Sequence, residues 1–178
     1  LGSHSSPEYK DKKTGERYLF KYTDKVIARA EEAASRIGAL LIPGQVHEVK
    51  YITLNGKSGT LIKMHPEYKP LGKEKTTMDV SADLKARFQK HFDGIVQQHV
   101  LDWICSQHDT HGDNIGLVGD KVFGIDKGQA WKFLGQDALP APGMEASKAC
   151  NPNPSKQVYS QFWKLYHEGK ITGSPAQA

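Results

Sequence analysis

The chain has 178 residues, 38% of them hydrophobic, with 24 basic against 20 acidic side chains and a formal net charge of +4. That length suits one domain, or two small lobes sharing a cleft. No apolar run reaches the roughly 20 residues of a membrane helix, the N-terminus lacks a charged-then-apolar signal pattern, and Cys105 and Cys150 share no disulfide or zinc spacing, so a cytoplasmic protein without a transmembrane segment is expected. The spread of positive charge suits an anionic small ligand or a solvated lysine surface, and specific nucleic-acid binding is not expected.

Gly2, Ser3, His4 and Ser5 open the chain as a small polar stretch, which can be read as a phosphate-wrapping loop or as a frayed terminus. Residues 17–22 have the aromatic composition of a strand, with Lys21 near its end. Asp24 then offers an N-cap. Val26, Ile27, Ala30, Ala33, Ala34, Ile37 and Leu41 recur at helical spacing, so this apolar set is expected to form the buried face of a helix that carries Glu31 and Glu32 in its second turn. Pro43-Gly44 breaks it. Residues 46–54 and 59–65, joined across Asn55-Gly56, read as a β-hairpin, because both central residues of such a turn need positive φ.

Two prolines, Gly72 and three lysines in residues 66–77 have linker composition and predict the crossing between lobes. Helices are expected over 81–91 and 92–107, the second with a core stripe of Phe92, Ile95, Val96, Val100, Trp103 and Ile104. Residues 115–118 and 121–125 form a second hairpin around Gly119-Asp120. An irregular excursion follows over 133–154, then a helix from Ser155 with Val158, Phe162, Leu165 and Tyr166 at core spacing, ended by Gly169, and a mobile tail.

Between the second helix and that hairpin stands His108-Asp109-Thr110-His111-Gly112-Asp113-Asn114, and after it Ile125-Asp126-Lys127-Gly128. Asp109, Asn114 and Asp126 offer oxygen ligands of the kind Mg²⁺ prefers and a base for a hydroxyl group. A hairpin brings its two ends together, so these three side chains are expected on one wall.

The two segments resemble the Asp-x-His-x-x-Asn catalytic loop and the metal-binding Asp-x-Gly of the atypical branch of the protein-kinase-like superfamily, which contains phosphatidylinositol kinases, HipA-type kinases and small phage or effector kinases. The resemblance spans about residues 2–130. It implies a minimal bilobal kinase-like α+β fold, with residues 1–72 as an N-lobe of sheet plus one helix and residues 73–178 as a reduced, mainly helical C-lobe. It also implies an ATP- and Mg²⁺-dependent kinase with a protein Ser/Thr acceptor, the lipid and small-molecule acceptors staying open, and delivery into a host cell if the chain is an effector. Residue by residue, Gly2, Ser3, His4 and Ser5 match the phosphate loop. Lys21 matches the strand lysine, Glu31 its helix glutamate, and Met64 and His65 the approach to the adenine site. Asn114 and Asp126 fall on the metal ligands, Asp109 on the base, and His111 where a donor to the γ-phosphate is placed. Lys127 stands where many kinases have phenylalanine, so apolar packing after the metal carboxylate is expected to be absent. Two readings from other classes compete: a metal-dependent hydrolase with His108, Asp109, His111 and Asp113 as ligands, and a pseudokinase serving as a binding module.

Overall fold

The computed structural model describes residues 6–71, 80–107, 110–131 and 158–178. The fold is α+β, with two small antiparallel sheets and helices packed on them. The first sheet has the order β1-β2-β4-β3, from β1 (Glu8–Lys10), β2 (Arg17–Tyr22), β3 (Val49–Leu54) and β4 (Lys57–Lys63). Asn55 and Gly56 both take positive φ, 51° and 75°, so the β3–β4 turn forms as its sequence requires. Lys21 pairs with Thr60 across β2 and β4.

Helix α1 (Lys25–Leu41) starts at Asp24, whose carboxylate accepts from Val26 N at 2.7 Å. Its buried side is Ala28, Glu31, Ala34, Ser35 and Gly38. This corrects the expected apolar face, for Val26 and Leu41 are exposed. Small residues let the helix approach more closely than the larger apolar set would. A Cβ on Gly38 would stand 2.7 Å from a methyl of Val46. Ser35 completes the contact by donating to His47 O and accepting from Val49 N at 3.2 Å.

Residues 46–47, expected to open the first hairpin, leave it instead, while Glu48 O still accepts from Lys63 N at 3.0 Å. Val46 makes a parallel bridge to Gly124 in the second sheet. That sheet has the order β5-β6-β7, from β5 (Lys69–Pro70), β6 (Ile115–Val118) and β7 (Lys121–Gly124). The linker expected over 66–77 therefore contains a strand. Gly116 makes room for it, since a Cβ there would lie 2.4 Å from Lys69 O.

Helices α2 (Ala82–Lys90), capped by Ser81, α3 (Phe92–Ile104) and α4 (Val158–His167) surround the main core. Phe162 packs edge-to-face on Phe88 and tilted on Phe92, at ring separations of 5.7 and 5.0 Å. Each such buried side chain stabilises the fold by about 1.5–3 kcal/mol. On α3 the buried set is Phe92, Ile95, Val96, Gln98, His99, Leu101 and Asp102, while Val100, Trp103 and Ile104, expected in the core, are half exposed. The tail is docked rather than mobile. Ile171 is buried, Thr172 and Gln89 exchange two hydrogen bonds of 2.8 and 2.9 Å, and Gln97 donates to Ala178 O.

Candidate functional site

Strand β2 carries Lys21 to the gap between α1 and the end of β7. There its Nζ lies 2.8 Å from Asp126 Oδ1 and 3.8 Å from Glu31 Oε2. Glu31 is only 1% exposed because it lies on the small-residue face of α1. Burial pushes its carboxyl above the usual carboxylate range, with Lys21 opposing and Asp126 reinforcing the rise. Thr60 donates to its Oε2 at 3.5 Å, and its Oε1 has no hydrogen-bond partner. The lysine and both carboxylates thus meet at one point, drawn from the first sheet, from α1 and from the segment after β7.

Asp126 adopts φ +51°, the left-handed region that costs a non-glycine residue about 1–2 kcal/mol. Its neighbours fix that conformation: Gln107 Nε2 donates to its carbonyl at 2.9 Å, and Lys127 turns inward to the Asp102 carboxylate on α3. Lys127 is 5% exposed. Apolar packing was expected to be absent at Lys127, and a buried ion pair with Asp102 stands there. Gly128 leaves space beside the carboxylates, where a Cβ would sit 3.5 Å from Glu31 Oε2 and 3.7 Å from Asp126 Oδ1.

Asn114 is buried at the head of β6, and its carbonyl accepts from Ile125 N at 2.8 Å. This extends the Ile115–Gly124 pairing by one step, so Asn114 and Asp126 stand at the same end of the hairpin. His111 precedes it, with Nδ1 accepting from Asp113 N at 3.3 Å. Tyr68 pins the loop by donating to Asp113 O at 2.8 Å, and burial raises its phenol well above its ordinary value.

Met64 is held by its N–H on Arg17 O at 2.8 Å. His65 stacks on His47 at 5.8 Å and packs on Phe123 at 4.7 Å. His47 lines the recess together with Glu31, Ser35, Gly124, Asp126 and Lys127. Burial, reinforced by His65, drives its imidazole down to about 3, so it is neutral across the physiological range.

Of the site residues expected from sequence, Lys21, Glu31 and Asp126 come together, with Asn114 at the adjoining hairpin end and His65 stacked on recess-lining His47. Gly2, Ser3, His4, Ser5, His108 and Asp109 lie outside the described residues. Sequence reasoning missed His47, Asp102 and Gln107, because their roles arise from burial and from partners distant in the chain. The lysine inside Asp-Lys-Gly was the available signal for Asp102, since a charge in so confined a motif needs a counter-charge.

Asn114 and Asp126 suit Mg²⁺, which accepts one or two protein oxygens and keeps several waters. The Asp126 carboxylate is 47% exposed and so has an open side. Among the described residues no three or more His, Cys, Asp or Glu side chains form a group that could hold a metal ion. No family model matches the chain, and no curated protein matches it in sequence.

Proposed function

We propose that the chain is an ATP- and Mg²⁺-dependent phosphotransferase of the atypical protein-kinase-like type, acting on a protein serine or threonine hydroxyl. The observation that carries this reading is Lys21 held between a buried glutamate at 3.8 Å and the Asp-x-Gly carboxylate at 2.8 Å, from elements 105 residues apart in sequence. A lysine so placed has a helix glutamate to aim it and a metal-site carboxylate opposite, as phosphoryl transfer needs.

In this mechanism Lys21 contacts the α- and β-phosphates and Glu31 fixes its direction. Asn114 and Asp126 hold Mg²⁺, which when bound neutralises charge on the phosphate chain. Asp109 orients the acceptor hydroxyl and takes its proton as the oxygen bonds to the γ-phosphorus and the bond to the β-phosphate oxygen breaks, releasing ADP. His111 donates to the γ-phosphate.

The test joins binding to turnover. At one hundred times Kd, ATP with Mg²⁺ should stabilise the protein by about 2.7 kcal/mol, read as a rise in Tm of a few degrees. Asp126→Ala should abolish the rise. Asp109→Ala should keep it while eliminating label transfer from γ-labelled ATP to acceptors in a host lysate. Label recovered in lipid or in small molecules instead of protein would reassign the acceptor. Stoichiometric zinc with no response to ATP would overturn the kinase reading.

A further inference from the structure

Two contacts tie the Asp-Lys-Gly segment to the end of α3 and the residues just after it, and two more brace that region. Lys127 Nζ donates to Asp102 Oδ1 at 2.5 Å, and Gln107 Nε2 donates to Asp126 O at 2.9 Å. Gln107 N–H in turn donates to Asp102 O at 2.8 Å, and Trp131 N–H donates to Cys105 O at 2.9 Å. The second oxygen of Asp102 accepts from Tyr159 Oη at 2.5 Å, which brings in α4. Lys127, Asp102 and Tyr159 are 5%, 1% and 1% exposed.

A buried ion pair of this kind gains little stability over apolar residues of similar volume, because desolvation of two charges offsets their attraction. Stability alone therefore does not account for it. What a charged pair supplies and an apolar contact does not is direction. The pair is formed with Lys127 turned inward, and together with the Gln107 contact it accompanies Asp126 in its left-handed conformation with its carboxylate on Lys21. We infer that Lys127, Asp102 and Tyr159 are positioning residues that fix the Asp126 carboxylate for Mg²⁺, an anchor that replaces the aromatic side chain found at this place in ordinary kinases. The inference rests on the phosphotransferase reading above. It adds to that reading where the metal ligand gets its orientation.

The experiment replaces the whole anchor by apolar residues, Lys127→Met/Asp102→Leu/Tyr159→Phe, so that no uncompensated charge or hydroxyl remains buried. Three quantities are read in parallel for this variant and the wild type: Tm, the Mg²⁺ concentration for half-maximal transfer from ATP, and hydrogen exchange over residues 124–128. The expected result is a Tm at or above the wild-type value, a 10- to 100-fold higher Mg²⁺ requirement, and faster exchange in the segment. A folded triple variant with wild-type Mg²⁺ dependence and exchange overturns the inference while leaving the phosphotransferase reading intact. A wild-type protein that neither binds nor turns over ATP with Mg²⁺ overturns that reading, and the inference with it. Should the triple variant fail to fold, Tyr159→Phe decides, since it keeps the ion pair and removes one oxygen. A rise of threefold or more in the Mg²⁺ requirement at unchanged Tm supports the anchor, and no rise overturns it.

Discussion

Glu31 concentrates the conflict between stability and function at a single residue. Its carboxyl is buried on the sheet-facing side of α1 with one oxygen unpartnered, and burial raises its pKa despite Lys21. A carboxyl whose pKa is raised on folding contributes most stability while protonated, below its ordinary value of about 4.3, and that contribution is lost as pH rises through the folded value. Glu31→Gln removes the charge and keeps the shape. Its Tm should exceed that of the wild type at pH 7–8, with the advantage shrinking on acidification, and thermal melts across pH measure this directly. On the proposed function, transfer should fall about 100-fold, because Lys21 would lose the carboxylate that aims it. Lys21, Glu31 and Asp126 were legible in the sequence because each occupies a fixed place in a motif or element. His47 and Asp102 were not, since a histidine between two strands and an aspartate within a helix carry no local sign of what will bury them.

Among the elements, α1 shows why hydrophobic periodicity misplaces a face. Val26 and Leu41 are exposed and Ile37 is only partly buried, whereas the buried side is Ala28, Glu31, Ala34, Ser35 and Gly38, small residues apart from the glutamate. Gly38→Ala tests this. Alanine gains about 1 kcal/mol over glycine in helix propensity. Its Cβ, however, would stand 2.7 and 2.8 Å from the methyls of Val46 and 3.0 Å from Leu101, an overpacking worth about 1–3 kcal/mol. Overpacking should win, giving a lower denaturation midpoint that Val46→Ala restores in the double variant. Both hairpins were legible, the first from Asn55-Gly56, since turn chemistry is local. Strand β5 was not, because Lys69 and Pro70 pair with β6 only once Gly116 is there to admit them.

Over the whole molecule, the region around His47 joins the two sheets, with His65 leaving β4 on one side and Phe123 of β7 on the other. A histidine held at about 3 against about 6.5 when unfolded favours the folded state fully above pH 6.5. That contribution is lost as pH falls toward 3, by up to about 1.4 kcal/mol per pH unit. His47→Gln should therefore flatten the acid limb of the stability profile between those values while leaving the limb above pH 7 unchanged, as denaturant midpoints at each pH will show. The α+β class was legible from the sequence of hairpins and helices. How the parts join was not, since it depends on residues 46–47 leaving the hairpin to which their composition assigned them, and on a tail whose Ile171 completes the main core.

The parallel bridge of Val46 to Gly124, flanked by Gly124 N donating to Gln45 O at 2.9 Å and His47 N donating to Gly124 O at 3.3 Å, crosses between the sheets two residues before Asp126. The position of Asp126 relative to the first sheet and its Lys21 is therefore set by main-chain bonds as well as by the ion pair between the two side chains.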